Sequence, residues 1–311
     1  MSVATLEAQR GVSVIAVTPF TDSGAVDLES VDRMVDFYLG TGAEGLTILG
    51  MMGEANKLTP EEAEAVLRRV ITRAGTAPVI VGVSAPGLQT MADLSAVAMD
   101  AGALGVMVAP PSTLRSNEQI VGYYQLAADA IGTDVPLVVQ DFPLATGVVF
   151  SAECIGRIVE TVPSVGMLKH EDWPGLNKIS ALREAEKAGR RRISILCGNG
   201  GLFLPEEIAR GADGAMTGFA FPEMMVGVCR LMDDGRHDAA QDLFDAYLPY
   251  ARYELQPGIG LSVRKHVLAQ RGVIASSFVR PPSVRLSDSD RADIARLLQR
   301  QASRLEQMHP A

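Results

Sequence analysis

Lysine is scarce in this chain. Of its 311 residues only Lys57, Lys169, Lys178, Lys187 and Lys265 are lysines, and Lys169 ends an apolar run, with His170, Glu171 and Asp172 directly behind it. An amine flanked by apolar side chains loses the hydration that favours its ammonium form. A neutral amine is a nucleophile that condenses with a ketone to an imine, and the protonated imine withdraws electrons from the adjacent carbon. Glu171 stands two residues beyond Lys169, so on an extended strand the two side chains share a face. A carboxyl beside an imine in a semi-enclosed pocket can serve as acid and base in turn. The same residues also fit a plain ion pair of Lys169 with Glu171 or Asp172, or a lysine reaching out to solvent. The spacing by itself leaves these alternatives open.

The elements that must position these groups are legible as eight short β-rich runs: 12–20, 45–50, 78–84, 105–111, 136–143, 165–171, 193–200 and 214–219. They are apolar almost throughout, as in parallel strands covered on both faces. Amphipathic helical segments separate them. The best marked covers 59–75, with Thr59 as N-cap, Pro60 at the first helical position and Glu62 completing a capping box. Eight strand–helix units in one series predict a (β/α)8 barrel, residues 1–235, followed by a helical extension, residues 236–311. In such a barrel function lies at the C-terminal ends of the strands. Lys169 is the one lysine at those ends, six strands in.

Bulk properties exclude several classes. The net charge is -9 and no basic patch stands out, so nucleic acid is not an expected partner. Arg190-Arg191-Arg192 reads as cations closing a helix before a strand. Three widely spaced cysteines, Cys154, Cys197 and Cys229, offer neither a disulfide framework nor a zinc knuckle, which fits a reducing cytoplasm. The start MSVATLEAQRG lacks the apolar core of a signal peptide, and no apolar run is long enough to span a membrane. No cofactor or metal is expected.

Several motifs, in order, resemble the pyruvate-type Schiff-base lyase family that includes dihydrodipicolinate synthase and N-acetylneuraminate lyase. They are AVTPF near the start, Gly50-Met51-Met52-Gly53-Glu54 followed by LTPEE, Gln140–Pro143 with Thr146-Gly147, GMLKHE around Lys169, and GADGAMTG near the eighth strand. The resemblance implies that Lys169 forms the imine and that the turn at Met51, Met52 and Gly53 offers backbone N–H groups to a substrate carboxylate. It also implies a homotetramer, a dimer of dimers. The departures are specific. Met51 and Met52 replace two threonines, Gln140 replaces a tyrosine, Ala145 replaces an arginine, and Pro110-Pro111-Ser112 lacks a further tyrosine. The hydroxyl relay and the arginine for a second carboxylate are absent, which argues against dihydrodipicolinate synthesis. The combination VVQDFP, KHE, GAMTGFAFP, DGRHDAA and RGVIAS is most similar to 2-keto-3-deoxy-sugar-acid dehydratases, L-2-keto-3-deoxyarabonate dehydratase in particular. In that subgroup a glutamine also holds the tyrosine position and a glutamate follows the lysine by two.

That resemblance implies a reaction in which Lys169 attacks the C2 ketone of a 2-keto-3-deoxy acid. Glu171, with water held by Gln140, takes a C3 proton, and the C4 hydroxyl departs. Asp141, Gly198, Asn199, Met216 and Thr217 lie at strand ends and are candidates for substrate contacts; Asn199 also suits simple turn-making in a Gly-rich loop. Related alternatives are a pyruvate-dependent aldolase and a dihydrodipicolinate synthase-like condensation. Three further readings use other features. GNGG at 198–201 could cradle a phosphate, a weak signal without wider spacing. A metal-dependent lyase would need ligands, yet of the four histidines only His170 falls at a strand end, where a solvated loop residue is the plainer expectation. The third is a catalytically silent barrel that binds a keto acid. Met224-Met225 and the C-terminal helices would suit subunit contacts.

Overall fold

A computed structural model of the chain describes residues 2–308. Its eight strands are β1 (Gly11–Ile15), β2 (Gly45–Ile48), β3 (Val79–Gly82), β4 (Gly105–Val108), β5 (Leu137–Asp141), β6 (Val165–His170), β7 (Ser194–Cys197) and β8 (Gly214–Thr217). Each pairs in parallel with the next, and β8 closes on β1. All eight expected strands are present, each ending its ladder earlier than its apolar run. The run expected over 12–20 leaves the sheet after Ile15, yet Ala16 to Phe20 stay buried. Burial, not sheet pairing, sets the length of an apolar run.

A short helix α1 (Val3–Glu7) precedes the barrel. The crossovers α2 (Leu28–Gly40), α3 (Pro60–Ala74), α4 (Leu88–Ala101) and α5 (Asn117–Ile131) follow β1 to β4. Two helices, α6 (Pro143–Thr146) and α7 (Ala152–Thr161), lie between β5 and β6. Then α8 (Leu176–Lys187), α9 (Leu204–Ala209) and α10 (Pro222–Asp233) follow β6, β7 and β8. The extension holds α11 (His237–Glu254), α12 (Gly260–Gln270) and α13 (Asp288–Met308). The start of α3 is as its sequence demands: Thr59 accepts from the Glu62 N–H while the Glu62 carboxylate accepts from the Thr59 N–H. Among the described residues, no helix is long and apolar enough to cross a membrane.

Alternation along the strands divides the core in two. Ile15, Ile80, Met107, Val138, Met167, Leu196 and Met216 fill the barrel interior, and Leu6 of α1 joins them. Because α1 rests on Gly166 at the start of β6, it closes the N-terminal end. Met52 packs on the same interior cluster. The outward residues, such as Val14, Leu46, Val81, Leu168 and Cys197, meet the helix layer. Burying each large apolar side chain stabilises by roughly 1.5–3 kcal/mol, and a filled interior leaves the strands' C-terminal rim as the place for a site.

Two surface expectations are corrected. Met224 and Met225 are fully buried within the protomer, because α10 is enclosed between the barrel and α11, so they cannot make subunit contacts. The arginine triplet does not cap a helix, since α8 stops at Lys187. Arg190 pairs with Glu160, Arg191 with Glu7, and Arg192 with Glu186 and Asp213.

Candidate active site

Lys169 is the penultimate residue of β6, and its register partner on β5 is Gln140. Parity puts its side chain on the interior face with Met167. Lys169 is 5% exposed, so it does not reach solvent. Its Nζ lies 2.9 Å from Glu171 Oε2, and the same oxygen accepts a hydrogen bond from Gln140 Nε2 at 2.8 Å. Glu171 and Gln140 are 6% and 4% exposed. Amine, carboxylate and amide therefore form one buried chain at the rim. Asp172, the other possible partner for Lys169, is engaged elsewhere: Lys178 of α8 bridges Asp172 and Asp141, 2.7 Å from each.

The strand-seven loop holds Glu171 from behind. Asn199 Nδ2 donates to the Glu171 carbonyl at 2.8 Å, with its own backbone in the left-handed region at φ 51°. A Cβ on Gly198 would lie 2.3 Å from Glu171 Cγ, so only glycine leaves room for that side chain. Thr217 reaches across from β8, its Oγ1 accepting from the Gly200 N–H at 2.9 Å. The N–H groups of Gly200, Gly201 and Leu202 are all spent inside the protein, on Thr217, Gly198 and Asn199. The GNGG loop thus has little left to cradle a phosphate. Gly198, Asn199 and Thr217 shape the carboxylate's seat, and Met216 is fully buried in the barrel interior beneath it.

Asp141 is not at the lumen. It follows inward-facing Gln140 and so points to the helix layer, fully buried, with Lys178 on its carboxylate. Burial pushes its carboxyl up to about 6, against the pull of Lys178. His170 is corrected for the same reason of parity. It is buried, not a solvated loop residue, and its ring shares a pocket with Cys197 and Glu207, their ligand-type atoms all within 4.8 Å of one another. Burial holds His170 down to about 4 and raises Glu207 to about 8. At neutral pH both are therefore uncharged. The group offers three ligands, and closed structural zinc sites almost always use four.

The turn after β2 is a 3-10 turn, Met51–Gly53. The Gly53 N–H donates to the Gly50 carbonyl and the Gly53 carbonyl accepts from Thr18 Oγ1 at 2.6 Å, so Gly53 is structural and offers no free donor. Among the described residues, the Met51 and Met52 N–H groups have no protein acceptor. Met51 is 46% exposed and lines a cleft of about 890 Å³ with Gly50, Ser84, Met107 and Gln140. The cleft runs outward over α3 and α4. Lys169 and Glu171 are not in its walls and sit behind Gln140. Ser84 and Met107 escape sequence reasoning because neither residue type announces a role; their place at strand ends is the available signal.

Chemistry that runs through an imine asks for an amine shielded from water with a proton carrier against it, and this arrangement meets that demand. The fold and the family place the chain among lyases of the class I aldolase type. The chain belongs to the dihydrodipicolinate synthetase family, whose model matches residues 8–301. It is 34% identical over 297 residues to L-2-keto-3-deoxyarabonate dehydratase of Azospirillum brasilense, covering 94% of each chain. It is 30% identical over 241 residues to 4-hydroxy-tetrahydrodipicolinate synthase of Persephonella marina, covering 76% of this chain and 80% of that one. Among solved structures, one described as dihydrodipicolinate synthase from Rhodopseudomonas palustris superposes with a TM-score of 0.93 at 54% identity, over 94% of this chain and 97% of the other.

Proposed function

We propose that the protein dehydrates a 2-keto-3-deoxy sugar acid, of the L-2-keto-3-deoxyarabonate kind, through an imine on Lys169. The observation that carries this reading is the contact of Glu171 Oε2 with Lys169 Nζ, with Gln140 holding the same oxygen. At 2.9 Å the carboxylate can take the ammonium proton directly, freeing the amine to attack the C2 ketone. Glu171 returns that proton to the carbinolamine hydroxyl, which leaves as water, giving the protonated imine and a free carboxylate again. Glu171 then removes a C3 proton, and the electron pair moves into the enamine. As the C4–O bond breaks, the enamine electrons form the C3–C4 double bond and the hydroxyl leaves with a proton from the Glu171 carboxyl. Water hydrolyses the conjugated imine to an enone and restores Lys169; the double bond then shifts from C3–C4 to C4–C5, a proton adding at C3 as one leaves C5, and the resulting C5 enol tautomerises to a saturated oxo acid. One water is lost overall.

Met51 and Met52 supply backbone N–H groups for the substrate carboxylate in this reading. Their side chains carry no hydroxyl, and Gln140 offers an amide where a proton-relaying tyrosine would serve a condensation. The relatives' own names divide between a dehydratase and synthases, and these residues favour the former. We place the enzyme in the cytoplasm as a homotetramer. Leu144 and Val149, 67% and 66% exposed on the β5–α7 connection, fit subunit packing. The test is to supply a racemic five-carbon 2-keto-3-deoxy acid and identify the products by mass. A product lighter by one water supports the assignment. Release of pyruvate would make the enzyme an aldolase, and turnover of neither kind would leave a barrel that only binds its ligand.

A further inference from the structure

The turn that carries Met51 and Met52 is held in an unfavourable shape. Leu49 and Glu54, one at each end of it, have φ of 54° and 53°, a region that costs non-glycine residues energy unless their surroundings enforce it. Glu54 is 1% exposed, and its carboxylate is engaged by neighbouring Lys57 and by the C-terminal part of the chain. Oε1 accepts from Lys265 Nζ of α12 at 2.6 Å. Oε2 accepts from Lys57 Nζ and from the Arg280 N–H, both at 3.0 Å. Lys265 also donates to the Phe278 carbonyl at 3.0 Å, and Lys57 to the Arg280 carbonyl at 2.6 Å. Phe20, at the end of the segment after β1, has the cations of Lys265 and Arg280 each 4.4 Å from its ring centroid. Arg280 is anchored in turn on Glu62 of α3 and the Gly24 carbonyl.

We infer that Glu54 is a positioning residue for substrate-carboxylate recognition: with Lys265, Lys57 and the 278–280 segment it locks the Met51–Met52 turn in the shape that presents its free N–H groups. This rests on the proposed role of that turn. A buried carboxylate with three donors over-determines a backbone that would otherwise relax. Two of the anchors, Lys265 and Arg280, lie 211 and 226 residues away in sequence, so the extension helps build the site at the barrel rim. Because the device acts on the carboxylate end of the ligand and not on the imine end, the two can be separated.

The test is borohydride trapping with pyruvate and with its methyl ester, each over a range of concentrations, in wild type and in Glu54→Gln. The glutamine keeps the volume, but its NH2 group meets the Lys57 and Arg280 donors and cannot accept from them. We expect the half-saturating concentration of pyruvate to rise about ten- to a hundredfold, as for the loss of one or two well-placed hydrogen bonds. That of the ester should be nearly unchanged, as should the adduct yield at saturation. Lys57→Gln, nearer the surface, should shift pyruvate in the same direction by less, and it decides the matter if Glu54→Gln fails to fold. Equal rises for pyruvate and ester, or no rise for pyruvate, would overturn the inference. Absence of any wild-type adduct at Lys169 would overturn the underlying lyase-site reading, and the inference with it.

Discussion

Replacing Glu171 with glutamine separates geometry from proton transfer. The amide has the same volume, and its oxygen can accept from Lys169 and Gln140 as Oε2 does now at 2.9 and 2.8 Å. The clamp on the Glu171 carbonyl by Asn199 is untouched, because it uses the backbone. What is lost is a charge and a group that can carry a proton. A positioned acid–base group accelerates by about 10²–10⁴-fold, so kcat for water loss should fall by about that factor. Removing one partner of a buried ion pair costs about 3–5 kcal/mol, which lowers the urea midpoint measured by circular dichroism. Adduct formation with pyruvate under borohydride should become slower, since no carboxylate takes the ammonium proton, yet still go to completion at saturation, since the amine and the turn remain. The assay follows product by mass and adduct by intact-protein mass on the same sample. A kcat within threefold of wild type would refute the assignment of the proton carrier to Glu171.

Two further predictions follow from contacts behind the site. Gly198→Ala places a Cβ 2.3 Å from the present position of Glu171 Cγ, so Glu171 must shift; we expect kcat to drop about tenfold or more for a sub-ångström to ångström misplacement, read by initial rates with far-UV circular dichroism unchanged. Glu207 is raised to about 8 by burial, so its contribution to stability is present below the ordinary carboxylate range and is lost as pH rises through about 8. Glu207→Gln, which stays neutral at every pH, should therefore gain melting temperature over wild type above pH 8 and show little gain near pH 5. His170, held down to about 4, adds a separate loss of stability on acidification below about pH 6 that both proteins share.

The barrel was legible in the sequence because parallel strands buried on both faces must be largely apolar without alternation, and each of the eight runs is, save for polar residues gathered mainly toward its C-terminal end. Lys169 with Glu171 was legible because a two-residue step on a strand keeps one face. The same parity, applied to Gln140 and Lys169 as partners, turns Asp141 and His170 to the helix layer; composition at the strand end hid this, since both residue types suit a site. Burial of Met224 and Met225 depended on α11 folding over α10, a tertiary fact. The bonds from Lys265 and Arg280 to Glu54 span 211 and 226 residues, and no local pattern announces them. Strand ends were overextended because residues such as Ala16 and Val17 remain buried after leaving the ladder.

Everything in the proposed reaction passes through a covalent intermediate on Lys169. The direct measurement is borohydride reduction in the presence of pyruvate or a five-carbon 2-keto-3-deoxy acid, followed by mass analysis of the intact and digested protein. We expect one stable adduct per chain, on the peptide containing Lys169, and none in Lys169→Met. An adduct on another lysine, or turnover of the keto acid with no adduct at all, would contradict it.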